Sequence, residues 1–180
     1  GTYFGENIPL TFTTYLPTIV SEGSTGTSLS VQTSVANANG ALKRSPSGTW
    51  SALQTGLTGL SGGGVGNIQV GPDGTVYYTG LFTGASGVAN TRGIARYNPT
   101  TDTWSAMGTG IAGNGGYALA VAPDGTIVAS GDTTGYGGVA NTANLARWNG
   151  SAWVSITPSG SANGIVSCLA YGSDGTLYAG

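Results

Sequence analysis

Ile94-Ala95-Arg96-Tyr97, Trp104-Ser105-Ala106-Met107 and Asp124-Gly125-Thr126 follow one another along residues 94–126, and this stretch decides the fold because it is repeated. The same markers return in the same order, about 50 residues on, as Leu145-Ala146-Arg147-Trp148, Trp153-Val154-Ser155-Ile156 and Asp174-Gly175-Thr176. Upstream they read Ala41-Leu42-Lys43-Arg44, Trp50-Ser51-Ala52-Leu53 and Asp73-Gly74-Thr75. A further pair, Gly87-Val88-Ala89-Asn90-Thr91 and Gly138-Val139-Ala140-Asn141-Thr142, keeps the spacing. Such self-similarity is the mark of a repeat architecture, in which each unit buries its apolar face against the next.

Each unit reads as four short strands. In the last one they are Leu145 to Trp148, Ala152 to Ile156, Ile165 to Tyr171 and Thr176 to Ala179. Asn149-Gly150 between the first two predicts a type I′ hairpin, which wants positive φ at both central residues. Asp-Gly turns join the last two, since Asp caps nearby backbone N–H groups and tolerates the left-handed region. Apolar residues at helical spacing are absent. Four-stranded units at this period predict an all-β, propeller-like array of antiparallel blades. About three repeats are expected over 41–180, cut at 41–93, 94–144 and 145–180.

Residues 1–40 match the repeat poorly. Thr11 to Leu16 and Ser28 to Val35 alternate as strands do. This N-terminal segment is read as an irregular fourth blade or an assembly element. Residues 1–8 are expected to pair beside strand 176–179 and so help to close the ring. Closed propellers have about 4–8 blades, so three repeats also suggest closure by oligomerisation.

The motifs from Ile94 to Ile127 resemble kelch-like repeats and those of the galactose-oxidase central domain, as found also in bacterial surface proteins and phage tail or fibre proteins. The resemblance covers roughly residues 41–180 and implies a β-propeller. The double glycine of kelch repeats is not clean here, where Gly80-Leu81 and Gly131-Asp132 stand instead.

Composition narrows the chemistry. Gly accounts for 34 of 180 residues, only 7% are charged, and the net charge is −2. Five basic residues cannot supply the row of phosphate contacts that tight nucleic-acid binding needs. No apolar run is long enough for a membrane-spanning helix. The chain has no His, which removes the commonest general base and metal ligand, and its one Cys cannot build a cysteine zinc site. No metal, cofactor or catalytic residue is therefore expected. Cys168, on an alternating strand where the preceding unit has Ala118, reads as a tight core position. The four Trp read as blade core, and Gly62 to Gly66 as an inter-strand loop. Lys43, Arg96 and Arg147 recur at one position, where a cation can stack on the neighbouring aromatic ring or pair with a turn Asp.

Ligand contacts are expected in loops 83–92 and 132–144, from Asn90, Arg92, Asp132, Tyr136, Asn141 and Asn144, because loops on rigid scaffolds carry variable function. The functional expectation is a non-enzymatic structural or attachment component of an extracellular assembly, a phage virion or a bacterial surface structure, that self-associates or meets neighbouring subunits. The alternatives are a lectin-like propeller that binds cell-surface glycan, and a fragment of a larger propeller protein.

Overall fold

A computed structural model describes residues 20–22, 29–31, 35–62, 64–156 and 162–180. The chain divides into two units, Gly1–Ala36 and Asn37–Gly180. In the first, β1 (Val20–Glu22) pairs antiparallel with β2 (Leu29–Val31), Val20 opposite Val31. The expected strand at Thr11 to Leu16 and the expected pairing of residues 1–8 lie outside the described residues.

The second unit is a succession of antiparallel sheets, with no helix among the described residues. It opens with the hairpin of β3 (Leu42–Arg44) and β4 (Trp50–Ala52). The short β5 (Leu57–Thr58) follows, then β6 (Val65–Val70), β7 (Val76–Gly80), the short β8 (Gly84–Ala85), β9 (Ile94–Asn98) and β10 (Thr103–Ser105). Strands β6, β7, β9 and β10 form one four-stranded meander, while β8 turns aside to pair with β5. The next meander is β11 (Ile111–Val121), β12 (Ile127–Tyr136), β13 (Leu145–Trp148) and β14 (Trp153–Ser155). A last hairpin joins β15 (Leu169–Tyr171) to β16 (Leu177–Ala179). The first strand of each sheet lies beside the first strand of the next, β6 against β11 and β11 against β15. Four-stranded sheets stacked about their first strands are the blades of a β-propeller, and the all-β propeller-like fold is what this chain adopts.

Each blade straddles two of the sequence repeats. The complete sheets run from Val65 to Ser105 and from Ile111 to Ser155. The hairpin β3–β4 has the sequence of a blade's outer half, and β15–β16 that of an inner half.

Period-two alternation packs both faces of the first blade. Tyr77 and Ile94 face forward into a core with Met107, Leu119, Ile127, Trp148 and Trp153. Their neighbours Tyr78 and Ala95 face back into a core with Ala41, Leu53, Leu57, Phe82 and Trp104. Adjacent side chains on a strand point to opposite faces, so one dipeptide serves two cores. A hydrogen bond runs across each of these layers. The Trp104 indole N–H donates to the Leu53 carbonyl at 3.2 Å, and that of Trp153 to the Met107 carbonyl at 2.9 Å. The acceptor is in both cases the residue three beyond the preceding unit's Trp. Trp104, Trp148 and Trp153 are core, as expected, and Trp50 is half-buried.

The glycines let successive inner strands approach backbone to backbone. A Cβ on Gly131 would sit 2.2 Å from the Gly115 carbonyl oxygen, and one on Gly66 3.0 Å from that of Gly116. Gly66 thus belongs to β6 and to its contact with β11, which corrects the reading of Gly62 to Gly66 as loop throughout. Two further expectations are corrected. Cys168 is exposed, not a core residue, because among the described residues β15 and β16 pair only with each other. Asn149-Gly150 is not a two-residue type I′ turn: only Gly150 has positive φ, at 98°, and Trp148 pairs with Trp153. The Asn149 side-chain oxygen instead accepts the N–H groups of Ser151 and Ala152, at 3.1 and 2.9 Å, closing a four-residue turn.

Candidate functional site

The glycine-rich start of β11 creates the most irregular stretch of backbone in the blades. Its pairing with β12 shifts register three times, between Ala112 and Gly113, Gly113 and Gly115, and Gly116 and Ala118. Gly113 and Gly115 have φ of 124° and 147°, open to Gly at no steric cost. Bulges of this kind release backbone groups from the ladder and re-aim side chains. The freed groups gather polar partners. The Arg92 guanidinium donates to the Gly113 carbonyl at 2.7 Å. The Asn114 amide donates to the Asp132 carboxylate at 2.6 Å. The Thr134 hydroxyl donates to the Ala112 carbonyl, and the Thr133 N–H to the Asn144 side-chain oxygen.

Of the residues expected from sequence, Arg92 and Asp132 reach β11, at the blade end opposite the Asp-Gly turns, while Asn144 lies on the other side of β12, accepting the Thr133 N–H and donating to the Ala162 carbonyl. Arg92 and Asn114 are exposed, Asp132 and Asn144 partly so. Asn114 completes the group and was not foreseen. Its signal was its place amid four glycines, Gly110, Gly113, Gly115 and Gly116, as a lone side chain on bare backbone.

The other three residues do different work. Asn90 and Asn141 take the left-handed positions of two equivalent turns, with φ of 63° and 59°. Asn tolerates that region better than most residues. Each turn is clasped by the next residue: the Thr91 hydroxyl accepts the Ala85 N–H at 2.8 Å and donates to the Val88 carbonyl at 2.7 Å. Thr142 repeats this with Tyr136 and Val139, at 2.9 and 2.6 Å. Both Thr are fully buried. Tyr136 is also fully buried, with its ring centroid 4.7 Å from that of Trp153, and it presents no surface to a ligand.

A second polar cluster joins β3 to the following blade. Lys43 lies over the Tyr97 ring, 5.9 Å from its centroid, and 3.4 Å from the Asp102 carboxylate, which also accepts the Tyr97 hydroxyl. The bond that the Tyr97 hydroxyl donates holds the Asp102 carboxyl below its usual range, and the bond that its oxygen accepts from the Lys43 ammonium at 3.4 Å is the main cause of a raised Lys43 pKa. This is the aromatic and turn-Asp pairing expected of that repeat position. It is a tie between blades, since both charged ends are exposed and the ring fills the layer between.

Among the described residues no three His, Cys, Asp or Glu side chains converge. The Asp73, Asp124 and Asp174 carboxylates each accept the N–H of the Thr two residues on, at 3.0, 2.8 and 3.0 Å. They are turn caps.

Fold and site together define a propeller-like protein with a polar cluster at one blade end. No protein-family pattern and no curated protein matches the chain. A solved structure described provisionally as a gluconolactonase is similar at 19% identity, over 76% of this chain and 48% of that one, with a TM-score of 0.41. The chain thus spans about half the length of that structure. The enzyme name on that match corrects the expectation of a non-enzymatic structural or attachment component, and with it the exclusion of enzyme activity. At this identity and TM-score the likeness carries no activity to this chain, and the propeller arrangement rests on the sheets themselves.

Proposed function

We propose that the chain is a ligand-binding propeller that holds a small polyhydroxylated, sugar-like molecule at the β11 end, through Arg92, Asn114 and Asp132. One observation carries this reading. Asp132 stands where the first blade has Leu81, Asn144 where it has Gly93, and Arg92 where the second blade has Ala143. Asn144 takes the left-handed position that Gly93 takes in the first blade, with φ of 60° and 70°, but blade packing demands neither Arg92 nor Asp132, and both reach the glycine-rich start of β11. A guanidinium, a carboxylate and an amide offer donors and acceptors at close quarters, which suits neighbouring hydroxyl groups. The reading concerns the site and is indifferent to whether the bound molecule is then converted. In the same reading the repeats are of the kelch-like kind, supported by the Trp and Asp-Gly spacing.

Saturation-transfer NMR against monosaccharides, sugar acids and short oligosaccharides tests it. A subset should give transfer, and Arg92→Ala and Asp132→Asn should each weaken binding about tenfold or more, as loss of a charged hydrogen-bond partner does. Silence across the panel, or binding untouched by both changes, defeats the proposal.

A further inference from the structure

The outer hairpin turn of the second blade, Asn149 to Ala152, carries a chemistry that neither ligand binding nor blade packing uses. Four Asn-Gly pairs occur in the chain, at Asn39, Asn114, Asn149 and Asn163. Gly has no Cβ to shield its own backbone nitrogen, so in such a pair that nitrogen can reach the Asn side-chain carbon. We propose that Asn149-Gly150 is a self-modification site, at which the folded protein converts Asn149 to aspartate and isoaspartate, while the fold protects Asn39 and Asn114.

The Gly150 nitrogen gives its proton to solvent and attacks the Asn149 Cγ. The new N–C bond closes a five-membered succinimide, and the Cγ–Nδ2 bond breaks to release ammonia. Water then opens the ring at either carbonyl, leaving aspartate or isoaspartate and one added negative charge. As the nitrogen attacks, charge collects on the Asn149 side-chain oxygen. That oxygen already accepts the N–H and the hydroxyl of Ser151, both at 3.1 Å, and the Ala152 N–H at 2.9 Å. Donors held where charge develops lower the barrier.

The nucleophile is open as well. Among the described residues no hydrogen bond holds the Gly150 N–H or the Asn149 backbone carbonyl, and a Cβ on Gly150 would meet nothing within 4 Å. All four turn residues are exposed. The equivalent turn of the first blade, Asn98 to Asp102, is exposed too, with the complete second blade beside it, so exposure belongs to the turn itself. Asn98 caps that turn in the same way, accepting the Thr100 and Thr101 N–H groups at 2.9 and 3.2 Å. Pro99 follows it, and proline has no N–H to lose, so the first blade's turn cannot close the ring.

The other two pairs are held. The Asn39 amide donates to the Thr55 carbonyl at 3.0 Å, and the Asn39 backbone carbonyl accepts the Leu57 N–H at 2.9 Å. The Asn114 amide donates to Asp132, and Gly115 lies against the first blade, where a Cβ would sit 2.7 Å from the Gly80 carbonyl oxygen. In both, closure must first break a hydrogen bond, which slows it about tenfold for a bond of ordinary net strength.

The test incubates the folded 180-residue chain, warm and at mildly alkaline pH, in water labelled with heavy oxygen. Peptide mass mapping reads conversion and label at each Asn, and enzymatic methylation reads isoaspartate. Asn163-Gly164, exposed and with open space at Gly164, gives the rate of an open pair in the same sample. Asn149 should keep pace with it, and Asn39 and Asn114 should lag about tenfold or more. In guanidinium chloride the four rates should draw together. Asn149→Ser keeps a turn acceptor, as Ser45 does for the Thr49 N–H at 3.0 Å, and should abolish label and isoaspartate at this turn alone. An Asn149 that stays intact, that converts no faster than Asn39 and Asn114 in the folded chain, or whose lead over them persists unchanged in guanidinium chloride would overturn the inference.

Discussion

Tyr78 and Tyr136 fill equivalent space from different strands. In the first blade Tyr78 stacks on Trp104 with centroids 5.0 Å apart, and Ala85 lies buried nearby. In the second the two sizes are exchanged: Ala129 replaces Tyr78, and Tyr136, in the place of Ala85, stacks on Trp153. Swaps that conserve volume are what cores tolerate best. This one leaves a defect. The Tyr136 hydroxyl is buried with no hydrogen-bond partner, and burial pushes its pKa far up. An unpartnered buried hydroxyl costs free energy without return. Tyr136→Phe should therefore stabilise the fold by about 1 kcal/mol, read as a higher midpoint in thermal or urea unfolding. A loss of stability would mean that the hydroxyl has a partner. The exchange also explains why Tyr136 looked like a ligand residue in the sequence. A loop Tyr beside glycines reads as exposed until Ala129 is matched to Tyr78 across the repeat.

The layers between blades are held by their Trp strands. Trp153 on β14 reaches back to the Met107 carbonyl and stacks on Tyr136 and Trp148, and Trp104 on β10 does the same with Leu53, Tyr78 and Tyr97. Trp153→Phe keeps an aromatic ring but removes the indole donor and part of the buried area. It should cost about 2–4 kcal/mol, from the lost volume and the lost indole hydrogen bond together, the Met107 carbonyl keeping only the long 3.4 Å bond from the Gly110 N–H. Trp50→Phe, at a half-buried position, should cost much less in the same urea titration, and equal losses at the two sites would refute the role given to the hydrogen bond. The strands and their turns were legible in the sequence because Trp, Asp-Gly and the Arg position recur at fixed spacing. The phase of the blades was not, since a spacing is unchanged wherever the cut is placed. Only pairing reveals that β13 joins β12 and that β14 and β15 belong to different sheets. Cys168 was misplaced for the same reason: its equivalent Ala118 is buried in a four-stranded sheet, whereas among the described residues β15 pairs only with β16. At the candidate site, Arg92, Asp132 and Asn144 were singled out in the sequence as polar residues of the two loops 83–92 and 132–144. Asn114 was hidden because only the β11 bulges bring it to Asp132.

Across the whole molecule the charges are few, and three of the seven acidic residues do the same job. The Asp73, Asp124 and Asp174 carboxyls lie below their ordinary value of 3.8, chiefly because each accepts the backbone N–H of the following Thr and then, more weakly, its side chain. The Asp102 carboxyl is lowered too, first by the Tyr97 hydroxyl. A carboxyl whose folded pKa is depressed stabilises the fold above its unfolded value, and that contribution is lost as pH falls through the folded value. Stability should therefore hold level through neutral pH and decline below about 4. With a net charge of only −2, general charge repulsion adds little to this titration. The decline can be assigned to the turns. Asn keeps the side-chain acceptor and tolerates the same backbone, but does not ionise. The triple variant Asp73→Asn, Asp124→Asn, Asp174→Asn should thus unfold near the unaltered temperature at neutral pH and lose much less on acidification, with Asp102 supplying the remainder. Thermal melts of both proteins from neutral pH down to about pH 2.5 make the comparison. Parallel acid declines in the two would show that the turn carboxylates are not what acid removes. The three turns sit on three successive sheets, so the titration acts on every blade at once and the transition should remain cooperative.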